Sequence, residues 1–311
     1  MIKAVLFFGL IISQFSLINI SYADDLLIDL PLGAQAISID GKVLIPSEPN
    51  ELSLINLEKA RAEYNNNPFD SDAIIWLGRR TAYTGNYRHA IEIFTEGAIK
   101  FPDDPRFFRH RGHRYISIRE FDLAIADLEK ASQLMKGLSI QIEPDGLPNL
   151  QNIPLTTTQG NVWYHLGLAY YLKQDWGKAY TAFLNGYKLG GNDDNLVSTG
   201  HWIYMILRRM GNNTKAINAL NDISVDMNII ENMSYHQLCL LYKGKLGIEG
   251  LMAVNGDNPS SAAVAYGLAN YYYYNGDKKK SNELLHRITN GASWSAFGYI
   301  AAEVDLANND R

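Results

Sequence analysis

From Ser71 to Gly137 apolar residues recur three and four apart, in two blocks that coincide after a slide of 34 residues, the distance from Ser71 to Pro105. That spacing predicts helices with one buried face. In the first block Ile74, Leu77 and Gly78 share a face of one helix, Gly85-Asn86 turns the chain, and Tyr87, Ala90, Phe94 and Ala98 share a face of the next. Pro102 has no N–H to give a continuing helix, so the unit stops there. In the second block Arg111-Gly112 falls on Leu77-Gly78, Phe121 on Tyr87, Ala124 on Ala90 and Leu128 on Phe94. The glycine is small where the partner helix crosses. Each pair leaves an apolar flank open that only another pair can cover, so the pairs must stack.

These two blocks resemble the tetratricopeptide repeat, a 34-residue helix–turn–helix unit. The resemblance implies an all-α fold, a right-handed superhelical solenoid of antiparallel helix pairs, whose work is to hold something. It extends over 51–308. A half-repeat cap covers 51–68, with Pro68 one repeat length before Pro102. Repeats follow at 71–104 and 105–137. After an insertion at 138–159 come repeats at 160–192 and 197–225, a degenerate pair at 232–255 and a further pair at 260–290. A C-terminal cap helix is expected over 293–308, with Phe297, Ile300, Ala301 and Val304 on one face. The insertion holds three prolines and an Asp145-Gly146 turn, which forbid a continuous helix. It reads either as a functional loop or as a spacer along the outer edge.

The N-terminus has a different pattern. Lys3, the apolar run AVLFFGLII and Ser21-Tyr22-Ala23 predict a signal peptide over 1–23, cleaved before Asp24. The other reading, an uncleaved anchor, meets an apolar run broken at Ser13-Gln14 and short of the roughly 20 residues a span needs. The mature chain is therefore expected to be exported, to a bacterial periplasm or beyond, without stable membrane insertion. Asn212-Asn213-Thr214 and Asn232-Met233-Ser234 match the glycosylation acceptor and read as chance in a bacterial chain. Residues 24–50 are expected to form a short hairpin or extended segment on the first helix. AISIDGKVLI alternates about Asp40-Gly41, a pair that favours a two-residue turn.

The chain has 311 residues and a formal net charge of -5, which argues against a general nucleic-acid binder. Its single cysteine, Cys239, lies in the apolar stretch LCLLY and excludes both a disulfide and a multi-thiolate zinc site. No Gly-flanked serine elbow and no Gly-rich phosphate loop is present, and no cofactor is expected. His110 and His113 are three apart on a helix, but arginines flank them and no third ligand lies at a suitable spacing.

In the family that this chain resembles, the first helices line the concave face. That implies a groove formed by Arg79 and Tyr83, Arg106, Arg109 and His113, Tyr164 and Tyr171, and His201, Trp202 and Arg208. The groove would be basic at one end and aromatic along its length, in an acidic protein. Arginine holds carboxylates bidentately and keeps its charge, and large aromatics supply rigid contact area. The sharp reading is a groove for an acidic or carboxylate-bearing peptide segment. The bland one is a solvated face, or pairing of the arginines with Glu120, Asp122 and Glu96. The lysine and asparagine clamps of some co-chaperones of this family are not matched: Ile75 and Arg79, Arg109 and His113, Tyr164 and Leu168 stand there.

Three functional classes fit these features. The chain is an exported protein-binding scaffold, or an enzyme in which 138–159 closes over the groove with Glu143 or Asp145 as acid or base and Arg109 orienting an anion, or a structural bridge gripped by its two ends. Binding is the usual work of such repeats, and it is the expectation carried forward.

Overall fold

The computed structural model describes residues 30–251 and 258–309, so the signal-like segment and the first residues of the N-terminal strip lie outside it. A short antiparallel hairpin opens the described chain, β1 (Ala36–Ile37) on β2 (Val43–Leu44). Its loop has three residues rather than two: Ser38 N–H donates to Lys42 O, and Gly41 takes the left-handed conformation at φ 87°. That is the geometry of a three-residue hairpin with a glycine bulge.

Helix pairs follow. They are α1 (Glu51–Asn66) as a lone cap, α2 (Ser71–Tyr83) with α3 (Tyr87–Lys100), α4 (Pro105–Ser117) with α5 (Phe121–Leu134), α6 (Thr158–Leu172) with α7 (Trp176–Leu189), and α8 (Asp193–Arg209) with the short α9 (Asn213–Asn218). Next come α10 (Met233–Tyr242), trailed by one 3-10 turn at Ile248–Gly250, α11 (Pro259–Tyr274) with α12 (Lys278–Thr289), and α13 (Phe297–Asn309). Each start is specified locally. Asn50, Asp70, Asn86, Asp104, Thr157, Asp175, Asn192, Asn258 and Asp277 cap free N–H groups of their helices with side-chain oxygens.

Within a pair the crossing is set by glycine on an aromatic ring. A Cβ built on Gly78 would lie 2.4 Å from Phe94 Cε1, and one on Gly167 would lie 2.6 Å from Phe183 Cδ2. Both rings are fully buried. Consecutive pairs pack side by side, and the core runs unbroken through the stack from Ile74 to Ile300.

The C-terminal helix departs from the expected outer cap. It packs on α11 and α12 and reaches back to α6. Phe297 sits 5.3 Å from His113 on α4 and 5.6 Å from His165 on α6, ring to ring. Glu303 pairs with Arg119 at 2.9 Å, and Asp305 pairs with Arg209. Thus α13 runs across the first helices and fills the concave side. The hairpin completes the closure. Rather than resting on the first helix as expected, it accepts from Arg88 at the start of α3 through Gln35 O, gives Lys42 Nζ to Thr289 O, and receives Trp294 Nε1 at Ile45 O. The hairpin and residues 289–294 meet there. A polar terminus alone marks α13 as a cap; its buried Glu303 and Asp305 take cationic partners, Arg119 in the turn after α4 and Arg209 at the end of α8.

Candidate functional site

The ten residues expected in the groove separate into three groups. Tyr164, Tyr171, His201 and Trp202 pack in the interior, the last three each 2% exposed or less. Tyr171 Oη meets Tyr266 Oη at 2.8 Å, Trp202 Nε1 donates to Tyr164 Oη at 2.9 Å, and Tyr164 Oη in turn donates to Tyr235 Oη at 3.2 Å. His201 stacks on Tyr242, and burial pushes its pKa down to about 3. These aromatics are on the first helices as expected. They do not line an open groove, because α10, α11 and α13 are packed on them. A large buried aromatic stabilises packing wherever it points, so the sequence pattern is the same for an open groove and a filled one.

Arg106 and Arg208 form the second group. Arg106 is held by Asp104 and Asp72 on the edge of the stack. Arg208 donates to Tyr204 Oη at 2.6 Å and to Tyr274 O at 3.1 Å. Both are used up in local contacts.

Arg79, Tyr83, Arg109 and His113 are the third group, and the fold brings them together. With His110, Arg114 and Glu143 they wall a cavity of about 90 Å³. The insertion makes its roof. An isolated bridge pairs Ile142 with Thr157, so the segment doubles back as a strap. The strap lies on the first helices, not along the outer edge. Arg79 donates to Pro144 O and Arg80 to Gly146 O, each at 2.8 Å. Gly146 lies so close to Tyr83 that a Cβ there would meet Oη at 1.8 Å. Glu143 reaches inward and pairs with Arg109 at 2.8 Å, both nine-tenths buried. Glu143 thereby anchors the strap.

The expected pairing of the arginines differs in detail. Arg111 takes Asp127 bidentately, at 2.7 Å through each nitrogen, while Glu96 pairs with Lys100 and Asp122 with Lys173. Arg119 takes Glu303. Arg114 is different: its contact among the described residues is the Tyr87 ring, 5.2 Å from the guanidinium carbon. Sequence reasoning missed Arg114 as a wall residue, because its repeat position is not one of those that face the groove in the family.

The electrostatics follow from this crowding. Burial first, and then the neighbouring guanidiniums, hold His110, His113 and His165 far below the usual imidazole range, so all three are neutral. His110 takes a hydrogen bond at Nδ1 with Arg109 Nη1, 2.9 Å apart, and stacks on Phe94. Among the described residues no group of three or more His, Cys, Asp or Glu is placed to hold a metal. Cys239 is buried, its thiol pushed up by desolvation. No helix among the described residues is long and apolar enough to cross a membrane.

No protein-family model and no curated protein matches the chain. Solved structures of similar fold exist. YrrB, described as a TPR protein with an unusual peptide-binding site, is 14% identical over 82% of this chain and 100% of its own, with a TM-score of 0.43. The TPR-like repeats of a putative kinesin light chain from Podosopora anserina are 14% identical over 78% of this chain and 99% of theirs, TM-score 0.43. MamA of AMB-1 is 18% identical over 55% of this chain and 94% of its own, TM-score 0.38. Its 34-residue register, glycine-on-aromatic crossings and side-by-side helix pairs make this chain an all-α helical-repeat fold of stacked antiparallel pairs.

Proposed function

We propose that the protein is an exported, non-catalytic scaffold that holds an acidic or carboxylate-bearing segment of a protein partner at the basic end of its concave face. The observation that carries this reading is the strap. It is pinned over Arg79, Arg80 and Arg109, and it turns a row of large apolar side chains outward: Ile140, Ile142, Leu147 and Leu150 are more than half exposed. Exposed apolar side chains gathered on one short segment beside fixed positive charge form a contact surface rather than ordinary surface scatter. The partner segment lies along the strap, its apolar residues on these side chains and its carboxylates toward the arginines. The remainder of the concave face is filled by α13 and stays out of the contact.

Export is part of the proposal and rests on the residues before Asp24. Mass spectrometry of the chain recovered from an envelope fraction, beginning at Asp24, supports it; recovery of the full-length chain from the cytoplasm refutes it. For binding, the native chain and a Leu147→Ser, Leu150→Ser variant are used to capture partners from the same extract. Both positions are solvent-exposed, so the variant keeps its fold. One partner held by the native chain, lost by the variant and released by an acidic peptide is the expected result. The same partners on both chains would place the contact elsewhere.

A further inference from the structure

The cavity under the strap has a charge balance that its own residues leave open. Arg79, Arg109 and Arg114 bring three permanent positive charges. The wall supplies one carboxylate, Glu143, and Asp145 stands just beyond it with its carboxyl pushed up by burial. Positive charge remains in excess however Asp145 titrates. A buried cation without a counter-charge is costly. Three buried polar atoms here lack a partner: Arg109 Nε, a donor, and two acceptors, Glu143 Oε2 on the wall and Asp145 Oδ2 just beyond it. Arg114 offers a whole guanidinium edge, since an aromatic face accepts no fork of N–H groups.

The guanidinium donors therefore predominate on the wall, and Glu143 Oε2 is the carboxylate oxygen of the wall that is left open. Several oxygens must enter to meet the guanidiniums, and one of them must bring a proton to meet Glu143. Phosphate at neutral pH has this composition, because one of its oxygens is still protonated. Sulfate has the same size and shape and no proton to give. We propose that the cavity is a binding site for inorganic phosphate, its bare oxygens on Arg79, Arg109 and Arg114 and its P–OH donating to Glu143 Oε2. Bound there, the ion ties the strap to α2 and α4. The site goes beyond partner binding and stands or falls separately, since phosphate needs no partner present.

The test is calorimetric titration of inorganic phosphate into the full chain in a chloride buffer, with thermal unfolding alongside. Sulfate and methyl phosphate are run in parallel. One phosphate per chain and a raised unfolding midpoint are expected, with sulfate weaker by about tenfold or more, the loss attached to a charged hydrogen bond. Arg114→Gln weakens phosphate by about as much without lowering the midpoint of the phosphate-free chain, because Arg114 has only a ring to lose. Glu143→Gln, whose amide can donate where the carboxylate only accepted, brings sulfate up to parity. The proposal is overturned if phosphate neither releases heat nor stabilises the native chain, or if the native chain takes phosphate and sulfate equally. Tighter binding of methyl phosphate would overturn the assignment to the free ion. The comparison on the native chain decides by itself should either variant fail to fold.

Discussion

Arg119 and Glu303 lie 184 residues apart in the chain and 2.9 Å apart in the fold, their side chains almost wholly buried. Arg119 also donates to Trp294 O at 2.8 Å. It does so from a strained backbone, at φ 70°, in the turn position where the first, fourth and sixth pairs carry Gly85, Gly211 and Gly276. The left-handed conformation costs a residue with a Cβ about 1–2 kcal/mol. That strain persists because the side chain closes the array onto α13.

Two substitutions separate the strain from the clamp. Arg119→Ala removes the clamp and keeps the strain, and should destabilise the chain by about 3–5 kcal/mol, the cost of stranding a buried charge. Arg119→Gly removes both and should be milder by about 1 kcal/mol, allowing for the lower entropy cost of alanine. Urea midpoints give the comparison. Equal midpoints would show that the backbone of Arg119 is not strained.

The buried histidines make the closed form sensitive to acid. His110, His165 and His201 are all under a tenth exposed, and each has a pKa lowered in the fold. The unfolded chain binds protons at these sites near pH 6.5 while the folded chain does not, so stability is present above that pH and is lost as pH falls below it. With His113, whose pKa is lowered in the same way, four such groups give a slope of about 5 kcal/mol per pH unit at its steepest. Glu303, Asp305 and Asp127 act in the opposite sense: their carboxyls are raised by burial, so folding favours their protonation and they return stability at lower pH. The net expectation is a steep fall in urea midpoint between about pH 6.5 and 5. His201→Phe should flatten that slope by about one proton, and an unchanged slope would remove His201 from the account.

How much of this was legible depends on what a residue's neighbours in sequence can reveal. The pairing of Gly78 with Phe94 was readable because both lie within one repeat and helical spacing places them. The turn at Gly41 was readable in kind, though a bulge added one residue to its loop. The convergence of Arg79, Tyr83, Arg109 and His113 was readable through the repeat register, and the structure assembles those four around one cavity. The filling of the groove was not readable. Trp202 and Tyr171 have the same local pattern whether they face a ligand or Tyr266 on α11, a helix far along the chain. Glu303 and Asp305 carried the signal, as acidic residues spaced into an otherwise apolar helix face, but their partners Arg119 and Arg209 are fixed only by the curvature of the whole stack.

Gly146 tests whether the strap is seated or merely lies nearby. A methyl group there runs into Tyr83 Oη, so Gly146→Ala should push the strap off α2 and weaken its anchors at Arg79 and Arg80. Limited proteolysis should then cut within 138–159 well before the helices, while the native strap resists. Tyr83→Ala removes the whole clashing ring, whose Cζ and Cε2 would also lie within 2.7 Å of the new methyl, and should restore much of the resistance. If the single variant is as resistant as the native chain, the strap is not held against Tyr83.

The glycine crossings carry the last expectation. Gly78→Ala places a Cβ against the Phe94 ring, which is sealed in the core and cannot move aside. Overpacking of this kind destabilises by about 1–3 kcal/mol. Phe94→Leu alone should also destabilise, because it leaves a gap beneath Gly78 and strips His110 of its stacked ring. Together the two changes should be less harmful than their sum, since the smaller side chain makes room for the new methyl. A double-mutant cycle on urea midpoints reads the coupling, expected at about 0.5–3 kcal/mol in the compensating direction. Strict additivity would mean that Gly78 is small for a reason other than Phe94, and the repeat register built on that contact would lose its physical basis.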